Sequence, residues 1–312
     1  MIRLVILFLC LFRFLSCVAL DNNQIEDKLR KYISHQSARI GVAVISEDGC
    51  VIGVNQHESF PMLSVMKFPL ALTVLETVKE KHHSLLDTIP VCKSQLHTDT
   101  YSPMLLKYTA SKDHYISIYE LLDYALKSSD NNACDILMDY VGGASVVNKY
   151  IHELGIEGIV IKWNENDMHN VLEYCFENCS TPVAMAQLMF KFDKHHNDPN
   201  SIKIKRIMQS CETGVDRLAK PMLTTNAIIG HKTGSGPIDK ETGRIMAVND
   251  VGYIHLPNGK HYSIAVFIAD SAHSMDETSS IIAEISRLVF EEIIGNQQTG
   301  LKILSKLRYA AD

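Results

Sequence analysis

The chain has few basic residues and no dense run of them: among 312 residues, Lys and Arg number 30 against 36 Asp and Glu, a formal net charge of -6. A surface that neutralises phosphates needs clustered positive charge, so nucleic acid is not an expected partner. Zinc-ligand strings are missing as well. Despite 14 histidines, including His82-His83 and His195-His196, neither H-x-H-x-D-H nor H-E-x-x-H occurs, and the eight cysteines contain no C-x-x-C pair. Metal-assisted hydrolysis is therefore set aside, and no metal or cofactor is expected. Beyond the N-terminus no apolar run reaches the ~20 residues that span a bilayer. No internal repeat or low-complexity linker is present, which excludes a repeat array.

What is there suits a soluble globular protein of one large or two intimate domains: 46% of residues are hydrophobic and 21% charged. The first residues differ in kind. Met1-Ile2-Arg3 leads into Leu4–Leu15, apolar except for Arg13, then to the small residues Ser16, Cys17 and Ala19 and to polar Asp21-Asn22-Asn23-Gln24. This pattern predicts a secretory signal at residues 1–19, cleaved after Ala19 to leave a periplasmic or secreted chain. Leu15-Ser16-Cys17 offers the alternative of a lipid anchor at Cys17, although Phe14 stands where a lipoprotein box carries an aliphatic residue. The segment is too short and too interrupted for a stable membrane span, and a monomer is expected. Export permits disulfides among Cys50, Cys92, Cys134, Cys175, Cys179 and Cys211; buried or free thiols are the preferred reading.

Hydrophobic spacing places a helix at Asn23–Gln36 and a hairpin of Arg39–Ile45 with Val51–Val54, turning at Glu47-Asp48-Gly49. The centre reads as helices at Ser64–Lys79, Ile116–Ser128, Asn131–Val141, Gly143–Leu154, Thr181–Phe192 and Ile202–Glu212, with an irregular polar stretch at Trp163–Ser180. Strands return at Ile228–Thr233, Arg244–Leu256 and His261–Ala269, and a last helix runs near Asp276–Ile293; the tail from Gly295 is left unassigned. Strands at both ends around a helical centre imply an α/β (α+β) fold, an antiparallel five-stranded sheet flanked by helices with an inserted all-helical domain. The expected boundaries are 20–60 and 213–312 for a discontinuous α/β domain and 61–212 for the helical one, which includes the stretch 163–180. A cleft at their junction is where a site would sit.

Three short strings carry the chemistry: Ser64-Val65-Met66-Lys67, Ser129-Asp130-Asn131 and Lys232-Thr233-Gly234. An S-x-x-K match is expected about once by chance in a chain of this length, but each of the other triplets in only about one chain in ten, so coincidence is a poor account of all three. Ser64 and Lys67 are one turn apart near a helix start, which pairs a hydroxyl nucleophile with an amine. A lysine can take the hydroxyl proton only where burial or a nearby cation, such as Lys232, favours its neutral form. The backbone amides of Ser64 and Ser235 can donate to a developing oxyanion. Ser129 can pass a proton to a leaving nitrogen and Asn131 can orient a substrate amide, while Asp130 is better suited to holding its turn. Lys232 and Thr233 suit a substrate carboxylate, and Gly234 would let substrate lie against the strand. Together the strings read as a serine acyl-transfer site.

With these residues the chain resembles the class A serine β-lactamases, whose motif set is shared with penicillin-binding proteins. Ser129-Asp130-Asn131-Asn132-Ala133-Cys134-Asp135-Ile136-Leu137, followed by Gly142-Gly143, is similar to the second, extended-spectrum or cephalosporinase-like subclass. The resemblance implies a β-lactamase/transpeptidase-like fold, a small-molecule β-lactam substrate and a covalent acyl-enzyme. It also implies a glutamate on an Ω-shaped loop, here 163–180, that activates water for deacylation. Counting back from Thr181-Pro182 selects Glu165 over Asp167, Glu173 and Glu177. His169 stands where Asn is commoner and takes a water-positioning role. Tyr101 matches the aromatic gate beside the substrate, and Arg217 the guanidinium that supports Lys232; a surface-packing Tyr and a salt-bridged surface Arg are the alternatives. Pro69, inside the nucleophile helix, is expected to kink it slightly. The implied function is a serine β-lactamase acting on penicillins and cephalosporins, with Ser64, Lys67, Ser129 and Glu165 catalytic. A penicillin-binding D,D-peptidase is the alternative, and a non-catalytic β-lactam sensor or wall-binding protein a more distant one.

Overall fold

The computed structural model describes residues 24–309, with side chains as far as residue 294. The expected signal at 1–19 and the anchor position Cys17 lie outside the described residues. The main sheet is antiparallel throughout, in the order Val51–Val54, Arg39–Ser46, His261–Ser271, Ile245–His255, Ile228–Ser235. Period-two alternation sorts its side chains to two faces. Val42, Val44, Ile264 and Val266 pack with Ile25, Leu29 and Ile33 of the helix 24–33 and with Ile281, Ile285 and Val289 of the C-terminal helix Met275–Tyr309. Ala43, Ile45, Ala265 and Phe267 face the other way, into the core shared with the central helices. Small residues on that face admit the helix Pro182–His195: a Cβ on Gly41 would lie 2.7 Å from the Pro182 ring.

The predicted helix Asn131–Val141 is observed at those bounds, begun by Asp130 as N-cap and ended by Gly142 in the left-handed region at φ 102°. Others move by a turn. The nucleophile segment opens as a 3-10 turn, Leu63–Met66, and the α-helix proper is Lys67–Glu80. Pro69 therefore sits in the first turn, where N–H groups have no intrahelical partner, and the missing donor costs the helix nothing. The segment expected as a helix from Ile116 begins as a strand, His114–Ser117, because Ser117 caps the helix Ile118–Lys127 by accepting from Glu120 N. The helix expected from Ile202 begins at Pro199, capped by Asp198, and ends at Gln209. His114–Ser117 pairs with Thr88–Val91. A small sheet of Phe60–Pro61, Cys179–Ser180 and Ile159–Val160 closes the base of the irregular stretch, which itself holds the short helices Glu165–Asn170 and Tyr174–Glu177. Among the described residues all six cysteines are free, and no helix is long and apolar enough to cross a membrane.

Candidate active site

The three motifs converge on a cleft of about 800 Å³, bordered by Ser64, Tyr101, Asn131, Glu165, His169 and Thr233. Ser64 lies on the 3-10 turn, directly after Leu63, whose backbone is forced to φ 49°. Two contacts hold that turn. Asn249, fully buried on the strand Ile245–His255, donates its amide to the carbonyls of Pro61 and Met62 at 2.9 and 3.1 Å. Gly234 on the neighbouring strand lets the two segments touch, since a Cβ there would lie 2.6 Å from the Met62 oxygen and 3.3 Å from Val65 N. The expectation that Gly234 makes room for substrate is thus joined by a different steric reason, the close seat of the nucleophile turn.

Lys67 projects from the first helical turn and its side chain is fully buried. Its Nζ lies 2.9 Å from Ser64 Oγ, 2.7 Å from Ser129 O, 2.7 Å from Asn131 Oδ1 and 2.9 Å from Glu165 Oε1. An ammonium has three donors for these four acceptors, so one contact is always shared. Ser64 Oγ in turn donates to Glu165 Oε1 at 3.1 Å. Lys232, also fully buried, donates to Ser129 Oγ and to its neighbour's carbonyl, Thr233 O, both at 2.9 Å. Burial first, and then the charge of Lys67, bring the Lys232 amine down to about 8.

Ser129 has a left-handed backbone, φ 62°, and Asp130 holds it there. The Asp130 carboxylate accepts from Ala133 N, Ser102 Oγ and Met104 N at 2.8 to 2.9 Å, and burial pushes it above the usual carboxylate range despite these bonds. Asn131 also donates to Thr100 Oγ1 at 2.8 Å, and its N–H bonds Tyr101 O at 3.0 Å, which fixes the loop carrying Tyr101. Tyr101 itself is 60% exposed at the cleft edge. Arg217 is 6% exposed and, among the described residues, makes no carboxylate pair; it donates to Gly234 O at 3.3 Å, Asn249 O at 3.0 Å and Ser235 Oγ at 2.7 Å. Arg217 thus touches the strand that carries Lys232 at Gly234 and Ser235. His169 follows Glu165 by one turn on the short helix, and its Nε2 lies 3.6 Å from Asp99 Oδ2.

Several supporting residues escape a sequence reading. Asp135 accepts from the backbone N–H groups of Glu165 and Asn166 at 2.7 and 2.9 Å, so the N-terminus of the helix that carries Glu165 is tied to the helix that carries Asn131. Burial, and next the Glu165 charge, push Asp135 up to about 7. Asn131 and Asp135 are four apart and share a helix face, which is the one signal that could have found it. Asn178, fully buried, accepts from Lys162 N and Trp163 N at 2.8 and 3.0 Å and donates to Trp163 O at 2.7 Å, clamping the two ends of the loop together. Asn132 does the same for the loop near Tyr101, exchanging bonds with the His97 backbone at 2.9 Å.

A model of the beta-lactamase enzyme family matches residues 24–293. A beta-lactamase of Bacteroides uniformis is 36% identical over 293 residues, covering 91% of this chain and 98% of that one. The beta-lactamase VEB-1 of Pseudomonas aeruginosa is 33% identical, covering 92% of this chain and 96% of its own length. Among solved structures, the TLA-1 extended-spectrum beta-lactamase superposes with a TM-score of 0.84 at 36% identity, over 88% of this chain and 99% of that one. A class A representative from Bacteroides cellulosilyticus gives 0.83 at 38% identity, over 88% and 98%. With the sheet order, the cleft and these relatives in agreement, the chain belongs to the class A β-lactamases, a family of β-lactam hydrolases.

Proposed function

We propose that this chain hydrolyses the lactam amide of penicillins and cephalosporins through an acyl-enzyme on Ser64, as a periplasmic or secreted protein. The observation that carries this is the meeting of Ser64 Oγ, Lys67 Nζ and Glu165 Oε1 within 3.1 Å of one another. Lys67 and Glu165 both lie in reach of the Ser64 proton, which leaves as Oγ bonds to the lactam carbonyl carbon. The carbonyl oxygen takes up the negative charge between the amides of Ser64 and Ser235. The C–N bond then breaks, Ser129 gives its proton to the nitrogen, and Lys232, 2.9 Å from Ser129 Oγ, replaces it. Lys232 and Thr233 bind the substrate carboxylate, Asn131 orients its amide side chain, and Tyr101 borders it. In deacylation the ionised Glu165 takes a proton from a water held with His169, the hydroxide adds to the ester carbonyl carbon, and as the C–Oγ bond breaks the Ser64 oxygen receives a proton from Lys67, which Glu165 replaces. Glu165, as a base for hydrolysing the β-lactam adduct, is what separates this reading from a D,D-peptidase, whose adduct with penicillin is long-lived.

The test uses the purified protein and a chromogenic cephalosporin. Turnover is expected, and Ser64→Ala abolishes it; no turnover, or turnover that survives Ser64→Ala, rejects the reading. Glu165→Gln is expected to acylate and stall as a covalent adduct visible by mass spectrometry. A wild-type protein that itself stalls with penicillin points to the D,D-peptidase instead.

A further inference from the structure

Behind the proposed carboxylate shelf lies a line of side chains that the acyl-transfer steps leave unused. His231 and Thr233, two apart on the strand Ile228–Ser235, share a face, and Asp250 is the cross-strand partner of Thr233. His231 Nδ1 lies 2.9 and 3.1 Å from the two Asp250 oxygens, and the same carboxylate accepts from Leu218 N at 3.1 Å. Gly252, opposite His231, leaves room for the imidazole: a Cβ there would come within 2.9 Å of the His231 Cβ. The charge of His231 acts on the Cys211 thiol, and Cys211 Sγ is 3.4 Å from Thr213 Oγ1 and 3.6 Å from Thr213 O. Thr213 Oγ1 is 2.6 Å from Thr233 Oγ1, and both threonines border the cleft. Asp250, His231 and Cys211 are 0%, 3% and 9% exposed, so they lie behind the substrate rather than against it.

We infer that Cys211 is a positioning residue for substrate binding: its S–H group polarises a relay through the Thr213 and Thr233 hydroxyls and so aims the Thr233 proton at the substrate carboxylate. This rests on the proposal that Thr233 binds that carboxylate. Each hydroxyl has one proton to give. When the thiol donates to Thr213 Oγ1, Thr213 donates to Thr233 Oγ1 and the Thr233 proton is left for the cleft. A thiolate only accepts. Thr213 then turns its proton to sulfur, Thr233 turns its proton to Thr213, and oxygen lone pairs face the carboxylate. The switch is the release of one proton from sulfur to solvent, with no other bond made or broken.

The charges around Cys211 bring this switch into the working range. His231 and Lys232 face it from its neighbouring strand, Asp250 from the next strand and Arg217 from the loop, while the helix Ile118–Lys127 contributes the Leu126 carbonyl at 4.0 Å. Burial pushes His231 down, but the Asp250 carboxylate and Cys211 together outweigh it and hold the imidazole up at about 10. Burial likewise pushes the Cys211 thiol up, and His231, with Lys232, outweighs it and brings it down to about 7.

The experiment is the pH profile of KM and kcat for a carboxylate-bearing cephalosporin. If only the thiol form binds, wild-type KM rises about twentyfold between about pH 6 and about pH 8, about tenfold from the thiol and about twofold from Lys232, with the effect on KM rather than kcat. Cys211→Ser keeps a donor that does not ionise, and its rise shrinks to the roughly twofold left by Lys232. Thr213→Val removes the acceptor that draws the Thr233 proton away, so KM stays near its acid-end value up to about pH 8 apart from the roughly twofold due to Lys232, and it no longer responds to Cys211→Ser in the double variant. A second readout is the ultraviolet thiolate absorbance of the wild type minus that of Cys211→Ser. Its midpoint moves up by more than about one pH unit in the penicillin adduct of Glu165→Gln, because a site that binds only with the thiol protonated holds that proton in return. Equal KM rises in wild type and Cys211→Ser, or an unmoved thiolate midpoint, overturns the relay while turnover stands. Absence of both turnover and adduct at every pH defeats the underlying function along with it.

Discussion

Asp135→Asn should separate stability from deacylation, because Asp135 is both an unfavourable buried charge and the tether of Glu165. In the folded chain burial and the neighbouring Glu165 raise this carboxyl from 3.8 to about 7. At 1.36 kcal/mol per pH unit that amounts to roughly 4 kcal/mol of cost at neutral pH, with the two backbone hydrogen bonds already counted. The sign follows from proton counts: between these two values the folded state holds a proton that the unfolded chain has lost. The contribution to stability is therefore complete below about pH 4 and is lost as pH rises through about 7. An Asn removes the ionisation but presents an NH₂ group to one of the two N–H groups now satisfied at 2.7 and 2.9 Å. Leaving that donor unpaired costs about 1–3 kcal/mol. The variant is thus expected to be as stable as wild type at neutral pH or up to about 3 kcal/mol more so, and less stable below about pH 4. Glu165, with its backbone released at one point, should deacylate about 10- to 100-fold more slowly. Urea denaturation at several pH values gives the first quantity, and the lifetime of the acyl adduct by mass spectrometry the second. A stability difference that does not change between acid and neutral pH, or an adduct as short-lived as in wild type, would refute the reasoning.

Gly234→Ala pushes a Cβ to 2.6 Å from the Met62 oxygen, so the turn that carries Ser64 has to move by roughly half an ångström. Acylation should slow about 10- to 100-fold with about 1–3 kcal/mol of lost stability, measured as the rate of adduct formation and by denaturation; acylation at the wild-type rate would contradict the close seat described here. Asn178→Ala leaves Lys162 N, Trp163 N and Trp163 O without the partner they now share. A loss of about 3–5 kcal/mol is expected, together with new proteolytic cleavage confined to the loop 163–180, and an unchanged cleavage pattern would show that the clamp is not what closes the loop.

The sheet was legible because its signal is local: Ile40–Ile45 is a short apolar run rich in β-branched residues and bounded by turn residues, and it is apolar throughout because alternate side chains enter two cores. The helix Asn131–Val141 was legible for the same reason, with an Asp cap at one end and a Gly stop at the other. The start of the nucleophile helix was not, since a 3-10 turn and an α-turn have the same apolar spacing over four residues. Pro69, read as a kink, was in fact the marker of the first α-helical turn. The motif strings named the groups that are proposed to react. They could not give the tethers, because Asp135, Asn178 and Asn249 act across long stretches of chain on backbone groups, and a backbone partner leaves no residue pattern to recognise.

The two residues with the least favourable backbone angles in this site stand beside the two reacting hydroxyls: Leu63, at φ 49°, precedes Ser64, and Ser129, at φ 62°, carries its own. A non-glycine residue held in this region costs of order 1–3 kcal/mol, so something must oppose it in each place. For Leu63 it is the Asn249 amide gripping the two preceding carbonyls; for Ser129 it is the buried Asp130 carboxylate with its three donors. Each opposing group is itself polar and fully buried, and so it contributes only while every one of its bonds is made. Strain and tether are therefore coupled: Asn249→Leu should relax the turn and remove Ser64 from the reach of Lys67 and Glu165 together, slowing acylation and deacylation in parallel, whereas Asp135→Asn, which displaces Glu165 and leaves Lys67 in place, should slow deacylation more than acylation. Comparing adduct formation and adduct decay in these two variants tests that division, and a selective loss of either step in Asn249→Leu would break it.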